Sequence, residues 1–382
     1  MQIKPNEITT IDLFVTEACN ANCTYCFHKQ NPETLKLEDG KKILDIMFKM
    51  SPDTMTVNFW GGEPLLFPQL VLDLALYARS LWGKKVSFTV TTNCSYFNEE
   101  MFTKYRELGF AFNLSIDGDE ITMTEHRKGL DVKKVLANAL KISEFMHPYV
   151  SVRMTVTPET VGRLSINMQF CIETLGIFKV MHQAVIEDKW AEESINEYAK
   201  QLQNIYHYRR YMLKRDIPIN IVWIDKPLKI INDEAPAELN FCEAGKSYVG
   251  ILPNGDVYPC HRAASNRLFK LGNIYKEIPF VRGMFLTLDK EYAGCSQRCR
   301  AYQTCHTCVI TQHLVNNSLT KPVDNYCKLC HIEYDAAQGY LSTELADRFE
   351  RMQFKIAKGL LAVAEQNEEV LSYLKKENKK DD

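Results

Sequence analysis

The sequence predicts an α/β fold built on a parallel sheet, followed by a small cysteine-rich domain. Three observations predict it. Short apolar runs alternate with helix-period segments from residue 9 to about 185, the rhythm of repeated βαβ units. Glycine, asparagine, aspartate and three clustered cysteines gather where those runs end. Eight of the thirteen cysteines then fall between Cys242 and Cys330.

Strands are expected over 10–15, 54–59, 86–91, 110–116, 149–156 and 177–185. Helices are expected between them, over 38–50, 68–82, 98–108, 131–146 and 160–175. Right-handed crossovers curl such strands into an open or closed barrel, or leave them doubly wound. Residues 187–215 read as an amphipathic helix rich in Glu, Tyr and Arg. Residues 216–241, with Pro218, Pro227 and Pro236, read as an irregular connection and a domain boundary. Residues 331–382 return to helix and end in a solvated Lys/Asp tail. The expected organisation is a barrel over 1–186, a bridge over 187–241, a cysteine-rich domain over 242–331 and a C-terminal helix over 332–382.

Composition narrows the class. Hydrophobic residues make up 46% and charged residues 25%, ordinary for a globular chain. The formal net charge is −2, so no global field draws nucleic acid or an anionic membrane. Met1-Gln2-Ile3-Lys4-Pro5 opens no signal-peptide apolar region, and no uncharged apolar window reaches membrane-spanning length. A cytoplasmic location follows as an expectation. Thirteen cysteines cannot all pair with one another, and clustered thiols in a reducing compartment bind metal more often than they form bridges.

The densest chemistry is Cys19-Asn20-Ala21-Asn22-Cys23-Thr24-Tyr25-Cys26, directly after the apolar run Ile11-Asp12-Leu13-Phe14-Val15. Three thiolates hold three irons of a four-iron cluster and leave the fourth open. Chemistry in parallel α/β sheets gathers at C-terminal strand ends. Trp60-Gly61-Gly62-Glu63-Pro64, Thr91-Thr92-Asn93-Cys94 and Ser115-Ile116-Asp117-Gly118 all fall at that edge. Each alone reads as ordinary turn chemistry; together with the cysteine loop they read as one site.

In the C-terminal half, Asn254-Gly255 marks a hairpin that draws Cys242 towards Cys260. Cys295, Cys299, Cys305, Cys308, Cys327 and Cys330 follow. Eight thiolates suffice for two four-iron clusters. Taken alone, Cys305-x2-Cys308 and Cys327-x2-Cys330 match a four-cysteine zinc site better than an iron–sulfur one, and a non-catalytic zinc-binding module is the alternative of another class. Cys94 and Cys171 belong to neither group. Each reads as a small buried hydrophobe or as a hydrogen-atom donor to a carbon radical. His261, after Cys260, reads as a polar turn residue or a base.

The loop at Cys19, Cys23 and Cys26, with Tyr25 before the last cysteine, resembles the signature of the radical S-adenosylmethionine enzymes. Gly61-Gly62-Glu63-Pro64 and Ser115-Ile116-Asp117-Gly118 strengthen the resemblance. Cys242…Gly255-x4-Cys260 and the cysteines after it resemble the SPASM domain, which holds auxiliary four-iron clusters. The resemblance implies a partial (β/α)6 TIM-like barrel, a SPASM domain and a C-terminal helix. It implies three [4Fe-4S] clusters, one at Cys19, Cys23 and Cys26 and two auxiliary. S-adenosylmethionine would meet Gly61, Gly62 and Glu63 through its amino group, Ser115 and Asp117 at the nucleoside, Tyr25 at the adenine and Arg153 at the carboxylate. Cys242, Cys260 and Cys308 would hold one auxiliary cluster, completed by Cys330 or left with an open iron. Cys295, Cys299, Cys305 and Cys327 would hold the other.

The resemblance further implies an enzyme that forms a 5′-deoxyadenosyl radical and abstracts a hydrogen from a ribosomal precursor peptide, most directly to close a thioether or carbon–carbon crosslink. Two alternatives remain. Epimerisation needs a hydrogen donor such as Cys94 or Cys171. Formylglycine formation in sulfatases is disfavoured by His261, since those maturases carry Asp there. A flavodoxin- or ferredoxin-type donor would supply electrons. With strand one near residue 9 there is no room for an N-terminal leader-recognition domain, so leader binding falls to the barrel, residues 187–240, the C-terminal helix or a separate leader-binding protein.

Overall fold

The computed structural model describes residues 8–341 except 52, 233, 236–241, 277–282, 287 and 292. The chain divides into two compact units, Met1–Tyr334 and Asp335–Asp382. Of the second, residues 335–341 are described and are helical; the rest of the expected C-terminal helix and its charged tail lies outside the described residues.

The first unit is organised on one sheet. Six parallel strands form its centre: β1 (Thr10–Thr16), β2 (Met55–Gly61), β3 (Val86–Thr92), β4 (Phe110–Leu114), β5 (Val150–Val156) and β6 (Lys179–Ala184). Each lies within two residues of its expected bounds. A short strand β7 (Asn220–Ile221) continues the sheet beyond β6. At the other edge β8 (Tyr248–Ile251) runs parallel to β1, and β9 (Asp256–Tyr258) and β10 (Gly272–Asn273) follow antiparallel. The spatial order is therefore β10-β9-β8-β1-β2-β3-β4-β5-β6-β7. No strand joins β7 to β10 among the described residues, so the sheet is an open, partial barrel. The expected Asn254-Gly255 hairpin forms as β8–β9, but it extends the barrel sheet instead of standing apart.

Helices α1 (Leu37–Met50), α2 (Pro68–Trp82), α3 (Glu99–Glu107), α4 (Glu120–His126) and α5 (Val132–Met146) link the strands. The expected 160–175 helix breaks into a 3₁₀ turn at Val161–Arg163, α6 (Leu164–Gln169) and a π turn at Phe170–Thr174. Then come α7 (Glu192–Lys214) and α8 (Val222–Ile231). The second corrects the irregular connection expected over 216–241. Pro227 lies inside α8, yet Ile224, Pro227, Leu228 and Ile230 are buried together. Burial of that stripe outweighs the hydrogen bond that proline removes. Pro236 lies outside the described residues.

The two faces of the sheet differ. One is packed with aromatics: Phe110 stacks with Phe59 at 5.8 Å and Phe88 at 5.0 Å, and Phe102 of α3 stacks on Phe112 at 5.0 Å. The other is polar. Asn58 Nδ2 donates to Asp12 Oδ1 at 3.0 Å, Thr89 Oγ1 to Asn58 Oδ1 at 2.5 Å and Ser151 Oγ to Asn113 Oδ1 at 2.6 Å. Bulky branched side chains fill the interior of a closed eight-stranded barrel. Here the inner face carries hydrogen-bonding groups suited to line a cleft. No described helix is long and apolar enough to cross a membrane.

Candidate active site

The cysteine loop leaves the C-terminal end of β1 and is clasped from two sides. Asn22–Cys23 pairs antiparallel with Arg127–Lys128, and Thr24 N donates to His126 O at 2.9 Å. Thr24 Oγ1 and His126 Nδ1 lie 2.8 Å apart, and His126 Nε2 lies 3.1 Å from Thr157 Oγ1. On the other side Gly62 N donates to Thr16 O at 2.8 Å and Glu63 N to Ala18 O at 2.9 Å. The close approach requires glycine. A Cβ at Gly62 would lie 2.1 Å from Ala18 O, and at Gly61, where φ is +147°, 2.1 Å from Thr16 O. Both neighbours are backbone and cannot swing away.

Cys19 and Cys23 are half-buried and Cys26 is exposed. Burial pushes the Cys19 thiol up to about 11, and the nearby charges of Glu63, Cys23 and Cys26 act in the same direction. Cys23 is raised by burial and eased by Arg127. Three thiols within electrostatic reach of one another suit iron, whose cysteine ligands bind as thiolates and whose positive charge would offset theirs. The donor set therefore fits a cluster.

Glu63 is 2% exposed. Its Oε1 accepts from Leu65 N at 3.0 Å and Thr92 Oγ1 at 2.8 Å, and its Oε2 from Asn93 N at 2.7 Å. Burial pushes its carboxyl up from 4.5 to about 7, against the pull of those donors. The folded chain thus holds a proton that the unfolded chain releases between those values, and stability falls as pH rises through the window. Glu63→Gln removes the titrating carboxyl. Melting curves of the cluster-free protein from pH 5 to 8 should show the variant gaining on the wild type as pH rises; parallel curves would contradict the assignment.

At the end of β4, Ser115 N donates to Thr92 O at 2.8 Å. The chain then turns, ending the strand two residues earlier than expected, and Asp117 enters the interior with a fully buried side chain. Arg127 holds it bidentately, Nε to Oδ2 and Nη2 to Oδ1, both at 2.9 Å. Thr155 N donates to Oδ1 at 2.8 Å, and the Tyr25 hydroxyl donates to Oδ2. Sequence reasoning missed Arg127: a lone basic residue after a short helix carries no periodic or motif signal. Arg153 lies on β5, on the polar face, with Nη1 3.7 Å from Met181 Sδ. Burial lowers its guanidinium pKa, opposed by Tyr248 and Asp12.

The remaining candidates separate. Cys94 and Cys171 are completely buried and their thiols are raised by that burial. His261 Nδ1 lies 2.6 Å from Asp12 Oδ2, its backbone N donates to the same oxygen at 3.2 Å, and its ring stacks on Trp60 at 4.0 Å. Cys242, Cys260 and Cys308 line one cavity. Cys295, Cys299, Cys305 and Cys327 form a second group: burial raises Cys327 to about 12, and the charges of Cys305, Cys295 and Cys299 add to that rise. Cys330 Sγ lies 3.5 Å from Cys305 Sγ, and Cys299 Sγ lies 3.1 Å from His331 Nε2.

Residues 13–166 match the model of the Radical SAM superfamily, and residues 242–309 match the SPASM iron–sulfur cluster-binding domain. The chain carries a radical SAM domain followed by a SPASM domain. Mycofactocin maturase MftC of Mycobacterium tuberculosis is 25% identical over 336 residues, 84% of this chain and 82% of that protein. Among solved structures, anSMEcpe with bound AdoMet and Cp18Cys peptide superposes with a TM-score of 0.71 at 19% identity, covering 90% of this chain and 99% of that one. Streptococcus suis SuiB bound to precursor peptide SuiA gives 0.58 at 16% identity, covering 84% and 76%. The radical SAM part contains the clasped cysteine loop, Gly61–Glu63 and the Asp117–Arg127 pair. The SPASM part supplies β8 and β9, and with them one edge of the sheet.

Proposed function

We propose that this enzyme is a peptide maturase that abstracts a hydrogen from a ribosomal precursor peptide and closes an intramolecular thioether or carbon–carbon crosslink. The observation that carries the reading is the clasp: the three-thiol loop is bound by backbone to Gly62 and Glu63, at the C-terminal edge of an open sheet whose inner face is polar. Likeness to MftC across both domains supports it, as does a fold shared with proteins solved with peptides bound. Cys19, Cys23 and Cys26 would hold the initiating cluster. Gly61, Gly62 and Glu63 would hold the amino group of S-adenosylmethionine, Ser115 the ribose, Tyr25 the adenine and Arg153 the carboxylate. Bound there, these groups supply a 5′-deoxyadenosyl radical. The protein's own contribution is orientation and exclusion of water. Asp117 and Arg127 fix the Tyr25 ring, and the buried Glu63 presents a carboxyl already fixed by three donors.

The SPASM thiols would hold two further four-iron clusters. Two separate thiol groups, one at the cavity of Cys242, Cys260 and Cys308 and one around Cys305 and Cys330, support this. Crosslinking is favoured over epimerisation because Cys94 and Cys171, the candidate hydrogen donors, are completely buried. It is favoured over formylglycine formation because His261 stands in the position expected of an aspartate. The test is anaerobic incubation with a candidate precursor peptide, followed by mass spectrometry. Loss of two hydrogens is expected: one leaves as the abstracted hydrogen atom, the other as a proton from the bond partner, and the remaining electron would pass to an auxiliary cluster. An unchanged mass with one deuterium gained in heavy water would replace crosslinking by epimerisation.

A further inference from the structure

Just past the end of β3 one residue touches two parts of the site at once. Asn93 is 6% exposed. Its backbone N–H donates to Glu63 Oε2 at 2.7 Å. Its side-chain Nδ2 donates to Asn20 Oδ1 at 2.8 Å, across 73 residues of sequence, and its Oδ1 accepts from Ser95 N at 2.9 Å. Asn20 lies between Cys19 and Cys23. The same residue therefore meets the Glu63 carboxyl through its backbone and the three-thiol loop through its amide.

The chain around Asn93 is built to hold that pose. β3 ends at Thr92, and Cys94 turns the backbone with φ +62°, a left-handed conformation uncommon outside glycine. Three hydrogen bonds fix the turn. Cys94 N donates to Thr92 Oγ1 at 3.2 Å, Thr92 Oγ1 donates on to Glu63 Oε1 at 2.8 Å, and Asn138 Nδ2 of α5 donates to Cys94 O at 2.9 Å. A backbone strained in this way persists only where its surroundings over-determine it, and such places cluster at functional sites. The other ties of the loop do not replace Asn93. The bonds from Gly62 N and Glu63 N reach Thr16 and Ala18, before the first cysteine. Gln30 Nε2 reaches Ala21 O at 2.5 Å, but Gln30 belongs to the same excursion from β1 and fixes nothing against Glu63.

We infer that Asn93 is a positioning residue of the radical site: its side chain sets the Cys19–Cys23 arm against Glu63, so that the thiol loop and the carboxyl keep one separation. The inference rests on the reading that the three thiols hold the initiating cluster and that Glu63 holds the amino group of S-adenosylmethionine. A ligand gripped at both places loses affinity when either one shifts against the other. Cys94 serves this arrangement through its backbone turn, not its thiol.

The test uses the full chain, reconstituted anaerobically with iron and sulfide. Equilibrium binding of S-adenosylmethionine is measured, together with the change it makes in the electron paramagnetic resonance of the reduced protein. Asn93→Ala should weaken binding about five-fold, the scale of one hydrogen bond, and reduce the spectral change. Asn20→Ala should do the same, and the double Ala variant no more than either, because all three remove one bond. Asn93→Asp and Asn20→Asp each leave one amide to donate to the new carboxylate, so each should bind more tightly than its Ala counterpart. The double Asp variant has two acceptors and no donor, and should bind no better than the Ala variants. Ala variants that bind like the wild type, or an affinity that rises with each added Asp, would overturn the inference while leaving the site reading intact. A wild-type chain that does not bind S-adenosylmethionine would overturn that reading as well. If Asn93→Ala does not fold, Asn20→Ala, at the exposed end of the bond, carries the test.

Discussion

Replacing Asp117 by alanine is expected to cost about 3–5 kcal/mol of folding stability, the range for removing one partner of a buried pair. The side chain of Asp117 is wholly buried and that of Arg127 is 7% exposed, so the deletion leaves a guanidinium in the interior without its bidentate partner. It also strands the Thr155 N–H and the Tyr25 hydroxyl, both of which donate to the same carboxylate. The Asp117→Leu/Arg127→Met double variant should recover much of the loss, since paired apolar replacement leaves no buried charge. Denaturant midpoints of the cluster-free protein test both. A midpoint for Asp117→Ala within about 0.5 kcal/mol of wild type, the scale of an ordinary surface change, would show that the pair is not integral to the fold.

Replacing Cys19, Cys23 and Cys26 together by alanine should abolish release of 5′-deoxyadenosine, and each single replacement should come close to doing so. On the proposed reading the three thiolates leave one iron open, and loss of any one removes the cage that defines that position. Iron should fall from roughly twelve to roughly eight per chain, since each four-iron cluster is counted whole. Retained SPASM iron separates loss of the initiating site from general unfolding. Nucleoside release that persists in the triple variant would refute the assignment of the loop.

The strands and the cysteine loop were legible because their signals are local. An apolar run such as Leu13-Phe14-Val15 announces burial within a few residues. Cys19-x3-Cys23-x2-Cys26 carries its chemistry in its spacing. Gly61 and Gly62 were legible only as part of the strand-end cluster, and the structure places the Thr16 and Ala18 carbonyls against them. α8 was not legible, because Pro227 argues locally against helix while the burial that overrides it comes from elsewhere in the fold. Arg127 was invisible for the same reason: its partner Asp117 and its neighbour Cys23 have no fixed sequence distance from it that any motif records.

By itself the sequence determined the alternation of strand and helix, the three-thiol loop and the number of cysteines available to metal. Those properties reside in residue identity and short-range period. The tertiary structure decided which thiols share a site. Cys330 is three residues from Cys327 and 25 from Cys305, a separation that leaves its partner open. Helix packing brings it against Cys305 and away from the cavity of Cys242, Cys260 and Cys308. Likewise only parallel pairing of β8 with β1 joins the SPASM hairpin to the barrel and carries His261 to Asp12 across a separation of 249 residues. Side-chain pairing at that range is fixed by chain closure and burial, which no local pattern encodes.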